Sequence, residues 1–242
     1  MLILNLNYVL TRAAIGINDI RATYPYIISN AAYPISLLII VTILSQGKLL
    51  PYALVGGLIS ALAMNGISLA AAVAPLKSDY MYKDMIVTTK TSPTDYMLGE
   101  LTSQLVWSSP SIVLFFLLDI YFGLLTPFTF VMTLFIGLLV LLITSSISFW
   151  ISSFVRHTFN VWAMSTLLSI ILITISPTFY PYSYLPKGVL YVMEILPTTS
   201  AAVLEQGIFN LAPMSWYPLV ILIIEVIGFF LVAKYLTKWR ED

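Results

Sequence analysis

Few residues in this chain carry catalytic chemistry, and their spacing argues against a reaction. There is one histidine, His157, and no cysteine. His157 stands beside Arg156 with no second histidine and no adjacent carboxylate, so a surface role is expected of it rather than acid–base work. The missing cysteines exclude thiol nucleophiles, disulfides and Cys/His metal clusters, and no metal site is expected. Serines and threonines are plentiful, as at Thr144-Ser145-Ser146, but in apolar runs they are expected to bond their own helix carbonyls. The phosphate-cradling pattern G-x-x-x-x-G-K-S/T is absent, since Gly47-Lys48 lacks the rest of it, so the chain is not expected to hold ATP itself. Glu225 is the exception among the acids. It falls in the middle of a long apolar run, where a charge is costly and by default marks function. It is either a carboxylate of a substrate pathway or a group neutralised by protonation or by a hydrogen bond, with Asn65 as its candidate partner.

Those residues must be positioned by apolar helices. Hydrophobic residues make up 60% of the 242 and charged residues 9%, against roughly 25% charged in a soluble domain. Charge-free runs cover 22–47, 49–76, 101–118, 120–155 and 158–186. A sixth, 206–224, resumes after Glu225 and reaches 233. Each supplies the roughly 20 apolar residues that a spanning helix needs. Lipid leaves backbone groups unsatisfied outside helices and closed barrels, and Phe130 to Leu142 lacks the alternation of a barrel strand. The expectation is an all-α integral membrane protein, one transmembrane domain over 1–242, with spans at about 26–46, 52–74, 97–118, 128–154, 160–176 and 215–236. Residues 2–23 read as an interfacial amphipathic helix, with Asn5, Arg12 and Asp19 near one face. In the second span Gly57 and Ala61, then Gly66, Ala70 and Ala74, recur every fourth residue, a spacing that lets helix backbones approach.

The polar stretch 75–96 holds a short helix at 79–89, placing Tyr82, Met85, Ile86 and Thr89 on one side. Ser92 caps the next helix and Pro93 suits its first turn. Between Pro177 and Pro213, prolines punctuate two short helices, about 187–195 and 198–208, neither long enough to cross a bilayer. Glu194 and Glu205 lie on them, where they either meet a substrate or face water, and the second is expected.

Basic residues orient the whole. Nine of the 11, Arg12, Arg21, Lys77, Lys83, Lys90, Arg156, Lys234, Lys238 and Arg240, fall in one set of gaps, and Lys48 and Lys187 in the other. Cytoplasmic loops carry the Lys/Arg excess. Both termini and the 75–96 loop are therefore expected inside a plasma membrane, and the 177–213 region outside. With zero net charge, nothing points to nucleic acid.

Three segments resemble the permease subunit of type-2 ABC transporters. Lys83 to Glu100, with Ser92-Pro93 ahead of the third span, is similar to that family's coupling loop. Ser176 to Ser200, with Leu185-Pro186 and Leu196-Pro197-Thr198, is similar to its proline-rich signature after the fifth span. Tyr33-Pro34 is similar to the start of its first span. One departure is that Lys83-Asp84 is followed by Met-Ile-Val, without a glycine. The resemblance implies a non-catalytic exporter subunit that moves a drug, lipid, peptide or glycan. It would pair with a second permease copy or paralogue, and a separate ATPase subunit would bind ATP and Mg. It also implies roles for residues. Tyr82, Lys83, Asp84, Met85, Ile86 and Thr89 would meet the ATPase, with the apolar members as anchors and the charged pair at the rim. Helices 187–208 would re-enter the outer leaflet as an extracellular gate that includes Pro186, Glu194, Pro197 and Glu205. An ion-coupled secondary transporter or channel using Glu225 is the competing expectation. Such transporters often have two inverted halves, and no internal repeat relates 25–120 to 128–236.

Overall fold

A computed structural model describes residues 6–22, 24–78, 92–154 and 157–236. Its long helices are α1 (Leu6–Ala22), α2 (Tyr24–Leu44), α3 (Leu50–Ser78), α4 (Pro93–Tyr121), α5 (Pro127–Phe154) and α6 (Thr158–Ile170). A π-helical turn, Ile171–Ile175, extends α6. A short 3-10 turn, Tyr182–Tyr184, leads to α7 (Lys187–Met193), α8 (Pro197–Ile208) and α9 (Tyr217–Leu236). No strand occurs among the described residues. The expected helix at 79–89 lies outside them.

Among the described residues, four helices are long and apolar enough to cross a membrane: Leu50–Ala71, Thr94–Tyr121, Pro127–Phe154 and Tyr217–Tyr235. The first and fifth expected spans correspond to shorter apolar helices, Ala31–Leu44 and Phe159–Ile175. The fifth span ends in the π turn before it reaches the length of its neighbours.

Helix α3 is the hub. It packs against α2, α4, α5, α6 and α8, and 89% of its apolar window is buried, against 17% for α9. Its small residues explain this. A Cβ on Gly57 would strike the Phe115 ring of α4, and one on Gly66 would strike the Thr144 side chain of α5. The missing side chains are what bring these backbones together. Leu58, Leu62, Phe115 and Leu141 fill the α3–α4–α5 seam, while Ile59, Val140, Ala202 and Leu222 join α3, α5, α8 and α9.

Helix α1 packs against α4. Its Arg12 points inward and pairs with Glu100 of α4 at 2.6 Å, while Leu10 and Ile17 are exposed. The reason is Glu100, which is 2% exposed and needs a counter-charge. Burial works against the Arg12 charge, but the Glu100 carboxylate outweighs it and holds the guanidinium above its ordinary range.

Candidate translocation pathway and outer cap

Helices α2, α3 and α6 enclose a cleft of about 210 Å³. Its lining mixes a wide apolar wall with a row of hydroxyls: Tyr33 from α2; Met64, Ser68 and Ala71 from α3; Trp162, Ser165, Thr166, Ser169 and Ile170 from α6. The spacing 162, 165, 166, 169 is one face of a helix. Tyr33 Oη lies 3.4 Å from Thr174 Oγ1, so the cleft ends against the π turn. Ser68 Oγ donates to the Asn65 carbonyl at 2.7 Å, and Thr166 Oγ1 to the Trp162 carbonyl at 2.9 Å. Ser165 Oγ is buried without a partner. A lining that is mostly apolar with a few placed polar groups is the usual character of a small-molecule site.

Beyond the π turn the chain folds into a cap. A π turn leaves its carbonyls out of the ordinary ladder, and threonines take them up. Thr198 Oγ1 donates to the Leu172 carbonyl at 2.6 Å, and Thr178 Oγ1 to the Ile173 carbonyl at 2.9 Å. Ser176 Oγ lies 2.7 Å from Thr198 Oγ1 and accepts from Thr199 Oγ1 at 2.9 Å. Gln206 staples the loop to α8. Its amide nitrogen donates to the Pro177 and Tyr180 carbonyls at 2.8 and 3.0 Å, and its oxygen accepts from the Tyr182 N–H at 3.0 Å. Burial pushes the Tyr180 and Tyr182 phenols up, and both donate to carbonyls, of Ile175 and Pro213. Gly56 makes the cap sit close, because a Cβ there would collide with the Thr178 carbonyl.

Pro186 precedes α7 and Pro197 opens α8, where a missing N–H is harmless. The water-facing expectation for the two acids is wrong. Glu194 is 4% exposed and accepts from the Tyr217 hydroxyl of α9, and Glu205 is 0% exposed. Both helices turn their acids into the bundle because α9 and α5 cover that side.

The pathway candidates separate. Asn65 is fully buried one turn from Ser68, behind the cleft wall, and its amide donates to the Ala61 carbonyl. Glu225 stands on α9, which packs on α5 and α8 and contributes nothing to the cleft lining. Tyr33, Ser68, Trp162 and Thr166 were missed as site residues. The 162–165–166–169 spacing was the available signal, hidden because serine and threonine in a span usually bond their own helix. On the cytoplasmic side, Ser92 caps α4 and forms a reciprocal box with Asp95. Tyr82, Lys83, Asp84, Met85, Ile86 and Thr89 lie outside the described residues.

The model of the ABC-2 type transporter family matches residues 13–209. No individual curated protein matches the chain. The chain belongs to the ABC-2 type transporter family and is an integral membrane protein, a permease component of an ABC transporter.

Proposed function

We propose that this permease exports its substrate through the α2–α3–α6 cleft, with a second permease closing the open side. The observation that carries this reading is the position of the hydroxyl row. Trp162 and Ile170 line the cleft and are also exposed, at 58% and 49%, and Ile39, Ile40 and Ile43 leave the face of α2 uncovered. A half-cleft bordered by bare apolar helices suits completion by an identical copy or a paralogue. A drug, lipid, peptide or glycan with apolar bulk and a few hydroxyl-binding groups suits its lining.

The lopsided Lys/Arg distribution supports six crossings of the plasma membrane with both termini inside. In that orientation the 79–89 segment faces an ATPase subunit that binds ATP and Mg. Tyr82, Met85, Ile86 and Thr89 make the contact, with Lys83 and Asp84 at its rim. The α7–α8 cap, with Pro186, Glu194, Pro197 and Glu205, is then the extracellular gate. The test is reconstitution with the ATPase. Met85→Asp and Ile86→Asp should abolish substrate-stimulated ATP hydrolysis while the subunits still copurify. Unchanged stimulation overturns the coupling assignment. Solute movement by the lone chain would replace it with an ion-coupled transporter, and labelling of Lys83 from outside intact cells would overturn the topology.

A further inference from the structure

Three hydroxyls beyond the cleft form a one-way chain. Ser176, Thr198 and Thr199 are each 0% exposed, out of reach of bulk water. Thr198 Oγ1 donates to the Leu172 carbonyl at 2.6 Å, and a carbonyl only accepts, so the single Thr198 hydroxyl hydrogen is committed there. The 2.7 Å contact between Ser176 Oγ and Thr198 Oγ1 is then made with the Ser176 hydrogen. Thr199 Oγ1 donates to Ser176 Oγ at 2.9 Å. Every hydrogen points the same way, from the first turn of α8 to the π turn, and bonds in such a row strengthen one another.

Two carbonyls of the π turn are held differently. Ile173 is held by Thr178, five residues along the same segment. Leu172 is held by Thr198, 26 residues away on a helix that packs against the turn. Only the second bond is lost when α8 moves. Leu172 is 4% exposed, and a buried carbonyl needs a donor. The donor that its own helix can supply is the Ser176 N–H, four residues on, and the two meet when the turn tightens to the α register.

Tightening has a consequence in the cleft. The turn carries Thr174, whose Oγ1 lies 3.4 Å from Tyr33 Oη where the cleft ends. It also carries Ile173, 1% exposed in a cluster with Ala53 and Phe179 against which Tyr33 packs. Taking one residue out of the turn rotates its side chains by roughly 100°, one residue step, and carries Thr174 off Tyr33.

We propose that Thr198 is a positioning residue for the cleft: through its hydroxyl α8 holds the π turn, and the π turn holds Thr174 against Tyr33 and shuts that end. Cap and cleft open as one event, since lifting α8 withdraws the hydrogen that keeps the turn wide. Ser176 and Thr199 keep the Thr198 hydroxyl aimed. The inference rests on the reading of the cleft as the substrate path and of α8 as part of its gate.

The test uses the full chain, which has no cysteine of its own, in lipid nanodiscs. Tyr33→Cys and Thr174→Cys together give a pair for a short bifunctional methanethiosulfonate. The pair reports the register of the turn, which Thr198 sets, rather than the contact it replaces. The bridged fraction should fall severalfold with Thr198→Val, which keeps the shape and removes the hydroxyl, and return with Thr198→Ser. Ser176→Ala leaves the Leu172 bond in place but unaimed, and its fraction should be intermediate. Tyr217→Phe loosens the cap at its bond to Glu194 without touching the hydroxyl chain, and should leave the fraction as it is. Equal fractions in the unsubstituted background, Thr198→Val and Ser176→Ala would overturn the proposal. So would a loss in Tyr217→Phe as large as in Thr198→Val, the mark of general loosening. If Thr198→Val unfolds, Ser176→Ala against Thr198→Ser decides in the same way. The pathway reading fails separately: ATP hydrolysis by the transporter reconstituted with its ATPase that is unchanged once the pair is bridged would mean that the cleft is not the path.

Discussion

Ser148 of α5 is hydrogen-bonded into the backbone of α3 at Ala70. The Ala70 N–H donates to Ser148 Oγ at 2.6 Å, and the same hydroxyl donates to the Ile67 carbonyl at 2.6 Å. A side chain inserted into a helix ladder is one of the few recognised causes of a bend. It also ties the hub helix to its largest neighbour at a fixed register. Ser148→Ala should cost about 1 kcal/mol, the net worth of such bonds in water and somewhat more than their average in membranes. The thermal midpoint in detergent reads this, and a midpoint equal to the wild type would mean that α3 recovers its own ladder without loss.

The helix glycines divide by what a methyl group would meet. At Gly56 it would meet a backbone carbonyl, that of Thr178, which no side-chain change relieves. At Gly66 it would meet the Thr144 side chain, and at Gly228 of α9 nothing within 4 Å. Gly56→Ala should therefore destabilise by more than about 2 kcal/mol, in the range of overpacked cores. Gly66→Ala should be partly rescued by Thr144→Ala. Gly228→Ala should be neutral or stabilising by up to about 1 kcal/mol, since only the backbone cost of glycine changes. Equal effects at all three positions would sink this account.

The class of this fold was legible in the sequence because charge is excluded from lipid, and exclusion leaves gaps that can be counted. The short outer helices were legible through Pro186 and Pro197, which suit helix starts. The direction of the acids was not. Arg12, Glu194 and Glu205 look like surface charges in a linear reading, yet all three turn inward: Arg12 pairs with Glu100, Glu194 accepts from Tyr217, and Glu205 is fully buried. The cleft was hidden for a related reason. Ser68 and Thr166 do bond their own helices, as expected, yet they also border a shared space that only the packing of α2 on α3 and α6 creates.

The Arg12–Glu100 pair gives a third expectation. Removing one partner of a buried pair strands the other charge and costs about 3–5 kcal/mol, whereas an apolar replacement of both can be near neutral. Arg12→Ala should therefore release α1 from α4. Arg12→Met combined with Glu100→Leu should hold it better than the single change does. Protease sensitivity of α1 in nanodiscs separates the two. If the double variant is cleaved as fast as Arg12→Ala, the ion pair itself is what holds α1, and its attraction outweighs the cost of stripping water from both charges.

Gln206 offers the sharpest reading of the cap, because one side chain satisfies two carbonyls and one N–H of the 177–182 segment. Gln206→Leu keeps the bulk and removes all three bonds, which leaves buried backbone groups unsatisfied at about 1–3 kcal/mol each unless the segment moves to water. Movement is the cheaper outcome, because the neighbouring Tyr184 is already 68% exposed. The chain has no cysteine, so one introduced by Ser183→Cys reports alone. Its reaction rate with a membrane-impermeant maleimide should rise severalfold in Gln206→Leu. In Gln206→Glu, which keeps the acceptor for the Tyr182 N–H but loses both donors, the rise should be intermediate. Identical rates in the three backgrounds would mean that Thr178 and Thr198 hold the cap closed and that Gln206 only fills space.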